Sequence, residues 1–278
     1  MNILTRIIIF FIIAQLIGIY TGLVILGDMT ANPYVKGLVL TADTESPLNA
    51  VVFVLYVLIG AVFILFVIRY FKFQLLLFRM MEFFLIASAT SIVFYALWRN
   101  IATYETATFG GILCGMVFAA LKFFKDEVKN GAAILATAGV GVIFGVSLGI
   151  VPAIIFLIVL SVYDYLAVFF TKHMVEIAQH VIKNNLAFTI TARKPGHGTE
   201  KESRVDLGTG DLIAPVMLEV TTLSYNPIAT VFVFISAVLS LGIFLFVVWK
   251  KKTVLPALPP IVSGMLLSLF IGYLLGFY

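Results

Sequence analysis

Hydrophobic residues along this chain do not alternate with polar ones; they run together. Nine apolar stretches, at residues 5–27, 49–68, 75–98, 101–121, 131–149, 151–171, 207–224, 227–249 and 254–276, are separated by polar segments. A helix rising about 1.5 Å per residue needs about 20 residues to cross about 30 Å of hydrocarbon. Each stretch is therefore predicted to be a transmembrane helix. The seventh is the least apolar, because Asp211, Glu219, two glycines and Pro215 interrupt it. The only long connection is 172–206. Its first part, MVEIAQHVIKNN, is amphipathic and either lies on the membrane surface or prolongs the sixth span. Residues 186–192 and 203–207 are β-prone, and the polar portion 194–203 between them is expected to be mobile.

Basic residues decide the status of the seventh span. With nine spans and a cytoplasmic N-terminus, the cytoplasmic side holds Arg6, Arg69, Lys72, Lys122, Lys125, Lys129, Lys172, Lys183, Arg193, Lys194, Lys201, Arg204 and Lys250 to Lys252. The other side holds Lys36 and Arg99, and Arg79 lies near a cytoplasmic helix end. Removing the seventh span would put Lys250 to Lys252 outside, against the positive-inside rule. The expected fold is all-α and polytopic, with nine transmembrane helices, the N-terminus cytoplasmic and the C-terminus outside. It divides into a six-helix part (1–171), a cytoplasmic loop (172–206) and a three-helix part (207–278).

Composition agrees. Of 278 residues, 62% are hydrophobic and 12% charged, with a mean hydropathy of +1.13; soluble domains carry about a quarter charged residues. The net charge of +4 is accounted for by cytoplasmic loops, so no nucleic-acid partner is expected. The single cysteine, Cys114, excludes an internal disulfide. Ile7 to Leu26 is long enough to span and has no small-residue cleavage site after it, so a cleaved signal peptide is not expected. Two local features read as packing. Ala133, Thr137, Gly141, Gly145 and Gly149, four apart, let another helix approach closely; Arg79 and Glu82, three apart, suit a local ion pair.

Candidate chemistry narrows by elimination. His173, His180 and His197 all fall in the 172–206 loop and no H-E-x-x-H occurs, so no metal site is predicted. Ser263 and Cys114 have no base at membrane depth. Carboxylates remain. An aspartate inside hydrocarbon costs roughly 3 kcal/mol, yet Asp164 sits within IIFLIVLSVYDYLAVFF. It lies about seven residues from the cytoplasmic end of span six, and Asp211 about four residues into span seven. These consecutive antiparallel helices bring the two acids to similar depth. Two carboxyls in one poorly solvated site do not both ionise readily, so one serves as base toward water while the other donates to the amide carbonyl. Gly208, Gly210 and Pro215 loosen the start of span seven. The same inventory also suits a proton- or ion-coupled transporter, or a leak channel, using these aspartates.

Tyr163–Asp164 within YDYLAVF, Gly208-Thr209-Gly210-Asp211 and Pro256-Ala257-Leu258, taken in order on their spans, resemble the presenilin family of GxGD-type intramembrane aspartyl proteases; Lys172 to Gln179 is also similar to the segment after that family's sixth helix. The resemblance implies an aspartic endopeptidase that hydrolyses transmembrane helices of other membrane proteins without a cofactor. It further implies Asp164 and Asp211 as the catalytic pair. Tyr163, Gly208, Gly210, Pro256, Ala257 and Leu258 would then support the active site. The short loop resembles compact archaeal or microbial members in their cell membrane. The implied partners are membrane-spanning substrates and the bilayer, with no accessory subunits required and homo-oligomerisation open. The basic-residue distribution matches the presenilin orientation rather than that of signal peptide peptidases. GTGD replaces the commoner GLGD, which bears on substrate preference. Hydrolysis requires a locally unwound substrate, and the β-prone pieces are expected to pair with it as an added strand.

Overall fold

The computed structural model describes residues 3–70, 74–170, 173–194, 203–251 and 256–276. The helices are α1 (Ile3–Asp28), a short α2 (Pro33–Lys36), α3 (Leu48–Tyr70), α4 (Gln74–Trp98), α5 (Tyr104–Phe124), α6 (Lys129–Ser147), α7 (Ile150–Phe169) and α8 (His173–Lys183). After strands β1 (Thr189–Lys194) and β2 (Ser203–Gly208) come α9 (Thr209–Leu223), α10 (Pro227–Lys251) and α11 (Leu258–Leu274). Among the described residues, seven helices are long and apolar enough to cross a membrane: α1, α3, α4, α5, α6, α7 and α10. The last apolar helix, α11, has 17 residues, and α9 has only 15. Both fall on predicted spans, shortened at their N-termini.

The short α9 is the axis of the molecule. Leu212 and every residue from Ala214 to Leu223 are buried, against α1, α6 and α10. Glycines make that burial feasible. A Cβ at Gly141 would stand 2.5 Å from Val216 Cγ1, and one at Gly145 would stand 2.6 Å from Val220 Cβ. From the other side, Gly18 and Gly22 of α1 receive the same two valines. The small-residue spacing in the fifth span is thus a docking track for α9. A similar device joins α4 to α5, where a Cβ at Gly115 would meet the Ala87 carbonyl at 2.6 Å.

The 172–206 connection is more ordered than its polarity suggests. Its amphipathic first part forms the separate helix α8 rather than prolonging α7. Asn185, in the left-handed conformation (φ 53°), ends the helix, with Asn185 N–H donating to Ile182 O and Leu186 N–H to Val181 O. This is a Schellman cap, and Leu186 and Val181 complete it by packing in one apolar cluster. The two β-prone pieces pair with each other as an antiparallel hairpin, with Thr191 opposite Asp206 and Thr189 opposite Gly208. Residues 195–202, on which the expectation of mobility falls, lie outside the described residues.

One face of the hairpin, with Ile190, Ala192 and Leu207, belongs to the core; the other is polar. Thr191 N–H donates to Asn130 Oδ1 (2.9 Å), and its carbonyl accepts from Asn130 Nδ2 (2.8 Å). Lys129 Nζ donates to the hydroxyls of Thr189 and Thr191. The outer edge of β1 is therefore occupied by α6 at Thr191. Because outward-facing groups alternate along a strand, the opposite edge, on β2, turns the backbone groups of Arg204, Asp206 and Gly208 outward.

Candidate active site

Asp164 and Asp211 reach the same place by different local routes. Asp164 lies inside the regular helix α7, five residues before its end. Asp211 is the third residue of α9, whose N-cap is Gly208. A third-position carboxylate can turn back to the N-cap N–H, as in half of a capping box. The Gly208 backbone lies beside the Asp211 carboxylate in this way. The GTGD spacing thus places an acid at a helix start, next to a backbone amide. A Cβ at Gly208 would stand 3.3 Å from Asp211 Oδ2, whereas one at Gly210 would meet nothing within 4 Å. Gly208 keeps room for the carboxylate; Gly210 leaves open space beside it. Pro215 has no N–H, so the Asp211 carbonyl four residues earlier lacks its helical donor.

Both carboxyls line one cavity of about 180 Å³, and they are close enough to interact electrostatically. Its other walls are Val57 of α3, Phe144 of α6, Phe156, Leu160 and Tyr163 of α7, Gly210, Ile213, Ala214 and Met217 of α9, and Leu258 of α11. Apart from the two acids and the Tyr163 hydroxyl, these are apolar or backbone surfaces. Asp164 Oδ2 is buried without a hydrogen-bond partner among the described residues.

Pro256-Ala257-Leu258 contributes through its backbone. Ala257 is the N-cap of α11, Leu258 the first helical residue, and Pro259 and Pro260 follow. A helix start leaves four N–H groups without internal partners. Here the Leu258 N–H lies close to the Asp164 carboxylate, the two prolines have none, and Ile261 N–H reaches Ala257 O (3.4 Å). The start of α11 thus brings a backbone amide beside an aspartate.

The predicted residues Tyr163, Asp164, Gly210, Asp211 and Leu258 all meet at the cavity. Gly208 adjoins Asp211, and Pro256 and Ala257 are buried beside Leu258 without lining the cavity. Two expectations are corrected. Glu82 pairs with Lys122 of α5 (2.5 Å) rather than with Arg79: Glu82 and Lys122 are both buried between α4 and α5, whereas Arg79 is only half-buried. Pairing of an added strand through Thr191 is pre-empted by Asn130. Val57 and Phe144 were not foreseen, being apolar residues among many.

A profile described as "Signal-peptide peptidase, presenilin aspartyl protease" matches residues 9–277. No curated protein matches the chain. Among solved structures, one described as a presenilin family intramembrane aspartate protease aligns over 99% of this chain and 100% of its own, with 22% identity and a TM-score of 0.67. A second crystal form under the same description aligns over 96% and 97%, with 23% identity and a TM-score of 0.66. These likenesses carry the fold, and the transporter alternative finds no counterpart among them. The profile covers nearly the whole chain, and the chain therefore belongs to the signal-peptide peptidase and presenilin aspartyl protease family of intramembrane proteases.

Proposed function

We propose that Asp164 and Asp211 are the catalytic pair that hydrolyses peptide bonds within transmembrane helices of other membrane proteins. The observation that carries this is their convergence on one cavity, each beside a backbone amide: Leu258 N–H near Asp164 and Gly208 N–H near Asp211. One carboxylate takes a proton from water as its oxygen attacks the amide carbon. The other, protonated, donates to the carbonyl oxygen. Collapse of the tetrahedral intermediate breaks the C–N bond: the departing nitrogen receives the proton the base acquired, and one hydroxyl proton returns to the other aspartate as the carboxyl product forms. No cofactor or metal enters, and the pair acts as a unit.

The same reading counts α9 and α11 as spans, giving nine, with the N-terminus and hairpin on the cytoplasmic side and the C-terminus outside. The six-helix part supplies Asp164, and the three-helix part supplies Asp211 and the Pro256-Ala257-Leu258 corner. An unwound substrate would pair along the outer edge of β2, where Arg204 and Asp206 turn backbone groups outward immediately before Gly208 and Asp211. Pro256, Ala257 and Tyr163 shape the surroundings. The short 172–206 connection favours a compact, microbial enzyme of the archaeal type that works without accessory subunits.

The test is cleavage of a single-span peptide by detergent-purified protein, read by mass spectrometry. Asp164→Asn and Asp211→Asn should each reduce turnover by roughly 10³-fold or more while thermal unfolding remains cooperative. Undiminished turnover in either folded variant would overturn the assignment.

A further inference from the structure

A buried ion pair lies away from the cavity and the hydrolytic chemistry does not use it. Glu82 of α4 and Lys122 of α5 are 2% and 5% exposed. Lys122 Nζ stands 2.5 Å from Glu82 Oε1, and that same oxygen accepts the backbone N–H of Ala187. Two helices of the bundle thus grip the chain just ahead of β1. Removing one partner of such a pair costs several kcal/mol, whereas apolar replacements of both are often neutral. Stability alone is therefore a weak reason for the pair, and the bond to Ala187 suggests another.

Ala187 is followed by Phe188, whose carbonyl accepts both the N–H (3.0 Å) and the hydroxyl (3.2 Å) of Thr209. Thr209 is the first residue of α9, two before Asp211. One peptide unit of the β1 approach and one turn of helix thus separate Glu82 from the Asp211 carboxyl. The other supports of that turn are the Thr189–Gly208 end of the hairpin and the buried Leu212. Val216 and Val220 clamp the body of α9, but no neighbouring atom would come within 4 Å of a Cβ at Gly210, and Pro215 withholds the donor from the Asp211 carbonyl. The residue ahead, Leu186, is fixed by the α8 cap. Glu82 completes the restraint of this corner from the bundle side.

We propose that Glu82, with Lys122 as its counter-ion, is a positioning residue for Asp211. It anchors Ala187 so that the Phe188 carbonyl holds Thr209, and with it the first turn of α9, in register with Asp164. A shift of about 1 Å in a reacting group can cost about 100-fold in rate, so the anchor acts on turnover rather than on substrate affinity. The inference rests on Asp211 being catalytic.

The experiment compares wild type with Glu82→Ala, Glu82→Gln and the exchange Glu82→Lys/Lys122→Glu. Each is assayed for kcat and KM on a single-span peptide, with kcat scaled to folded enzyme by thermal unfolding. Glu82→Gln keeps an oxygen for the Ala187 N–H and should retain kcat within about threefold. Glu82→Ala should lower kcat by roughly 10- to 100-fold with KM nearly unchanged. The exchange keeps an ion pair but faces the Ala187 N–H with an ammonium, so it should stay as slow as Glu82→Ala. Thr209→Ala, which loses the hydroxyl bond to Phe188, should be slow alone and add little to Glu82→Ala, since both loosen one corner. Restoration by the exchange would overturn the proposal and leave only a structural pair. So would full additivity with Thr209→Ala, or an unchanged kcat in folded Glu82→Ala. A wild-type enzyme that cleaves nothing, or an active Asp211→Asn, would instead remove the catalytic assignment beneath it.

Discussion

The two aspartates stand on helices built to opposite specifications. α7 has 20 residues, carries no charge apart from Asp164, and buries only Pro152, Ala153, Phe156, Leu157 and Ala167. α9 is shorter by five residues and less apolar, yet it is enclosed along almost its whole length. α7 is thus held in the bilayer mainly by its own lipid-compatible surface, and α9 mainly by neighbouring protein. That difference explains how α9 tolerates what a lipid-facing helix could not: a proline, two glycines at its start and the buried Glu219. It also assigns the two acids different surroundings. Asp211 stands at a helix start that follows directly on a hairpin, while Asp164 stands within a regular helix, near the start of α11.

The contrast breaks most sharply through packing. Gly145→Leu puts a side chain into space already filled by Val220 and the Met217 carbonyl. No rotamer avoids the backbone, so the loss should reach or exceed the 1–3 kcal/mol typical of overpacking, and activity should disappear with the folded population. Val162→Leu on the exposed face of α7 adds one methylene, toward lipid, and should stay within about 0.5 kcal/mol of wild type. Thermal unfolding in one detergent measures both. Equal effects would mean that α9 is not the enclosed member of the pair.

This asymmetry also sets how much was legible beforehand. Charge within hydrocarbon is conspicuous, so Asp164 and Asp211 stood out from sequence alone. The helical period around each then implies much of the cavity wall: Phe156 and Leu160 precede Asp164 by two turns and one, and Ala214 follows Asp211 by three residues. Val57 and Phe144 carry no such mark, because an apolar residue facing a cavity and one facing lipid look alike in a sequence this hydrophobic. Glu82 misled for another reason. Spacing along one helix offers Arg79 as a partner, whereas Lys122 and the Ala187 amide are brought close only by tertiary packing. The hairpin was visible as β-prone pieces, but which strand edge stays open followed only from Asn130.

A smaller effect tests enclosure from the inside. Both carboxyl oxygens of Glu219 are buried with no partner among the described residues, and the residue is 0% exposed. A polar group held this way costs about 1–3 kcal/mol relative to a satisfied one. Glu219→Met keeps the length and removes the unsatisfied atoms, so the unfolding midpoint should rise while turnover per folded enzyme remains near wild type. A lowered midpoint would show that the carboxyl has a stabilising partner in the folded enzyme.

The mildest expected effect lies outside the membrane-spanning helices, where α8 docks beside the hairpin. His180 has its ring centroid 5.0 Å from that of Phe78, and its Nε2 is buried without a partner among the described residues. Desolvation, reinforced by Lys183, holds its pKa below the ordinary value. The folded state therefore favours neutral imidazole, while the unfolded segment protonates near pH 6.5. Below that pH the unfolded state binds the additional proton, so docking of α8 loses stability as acidity increases and is unaffected above it. Backbone amide exchange across 173–194 should accelerate between about pH 7 and pH 5 beyond the intrinsic trend. His180→Phe, which keeps a ring against Phe78 and cannot protonate, should flatten that acceleration, whereas exchange in α9 should not respond because its clamps contain no titrating imidazole. Acid-accelerated exchange that persists in His180→Phe would assign the sensitivity to another group.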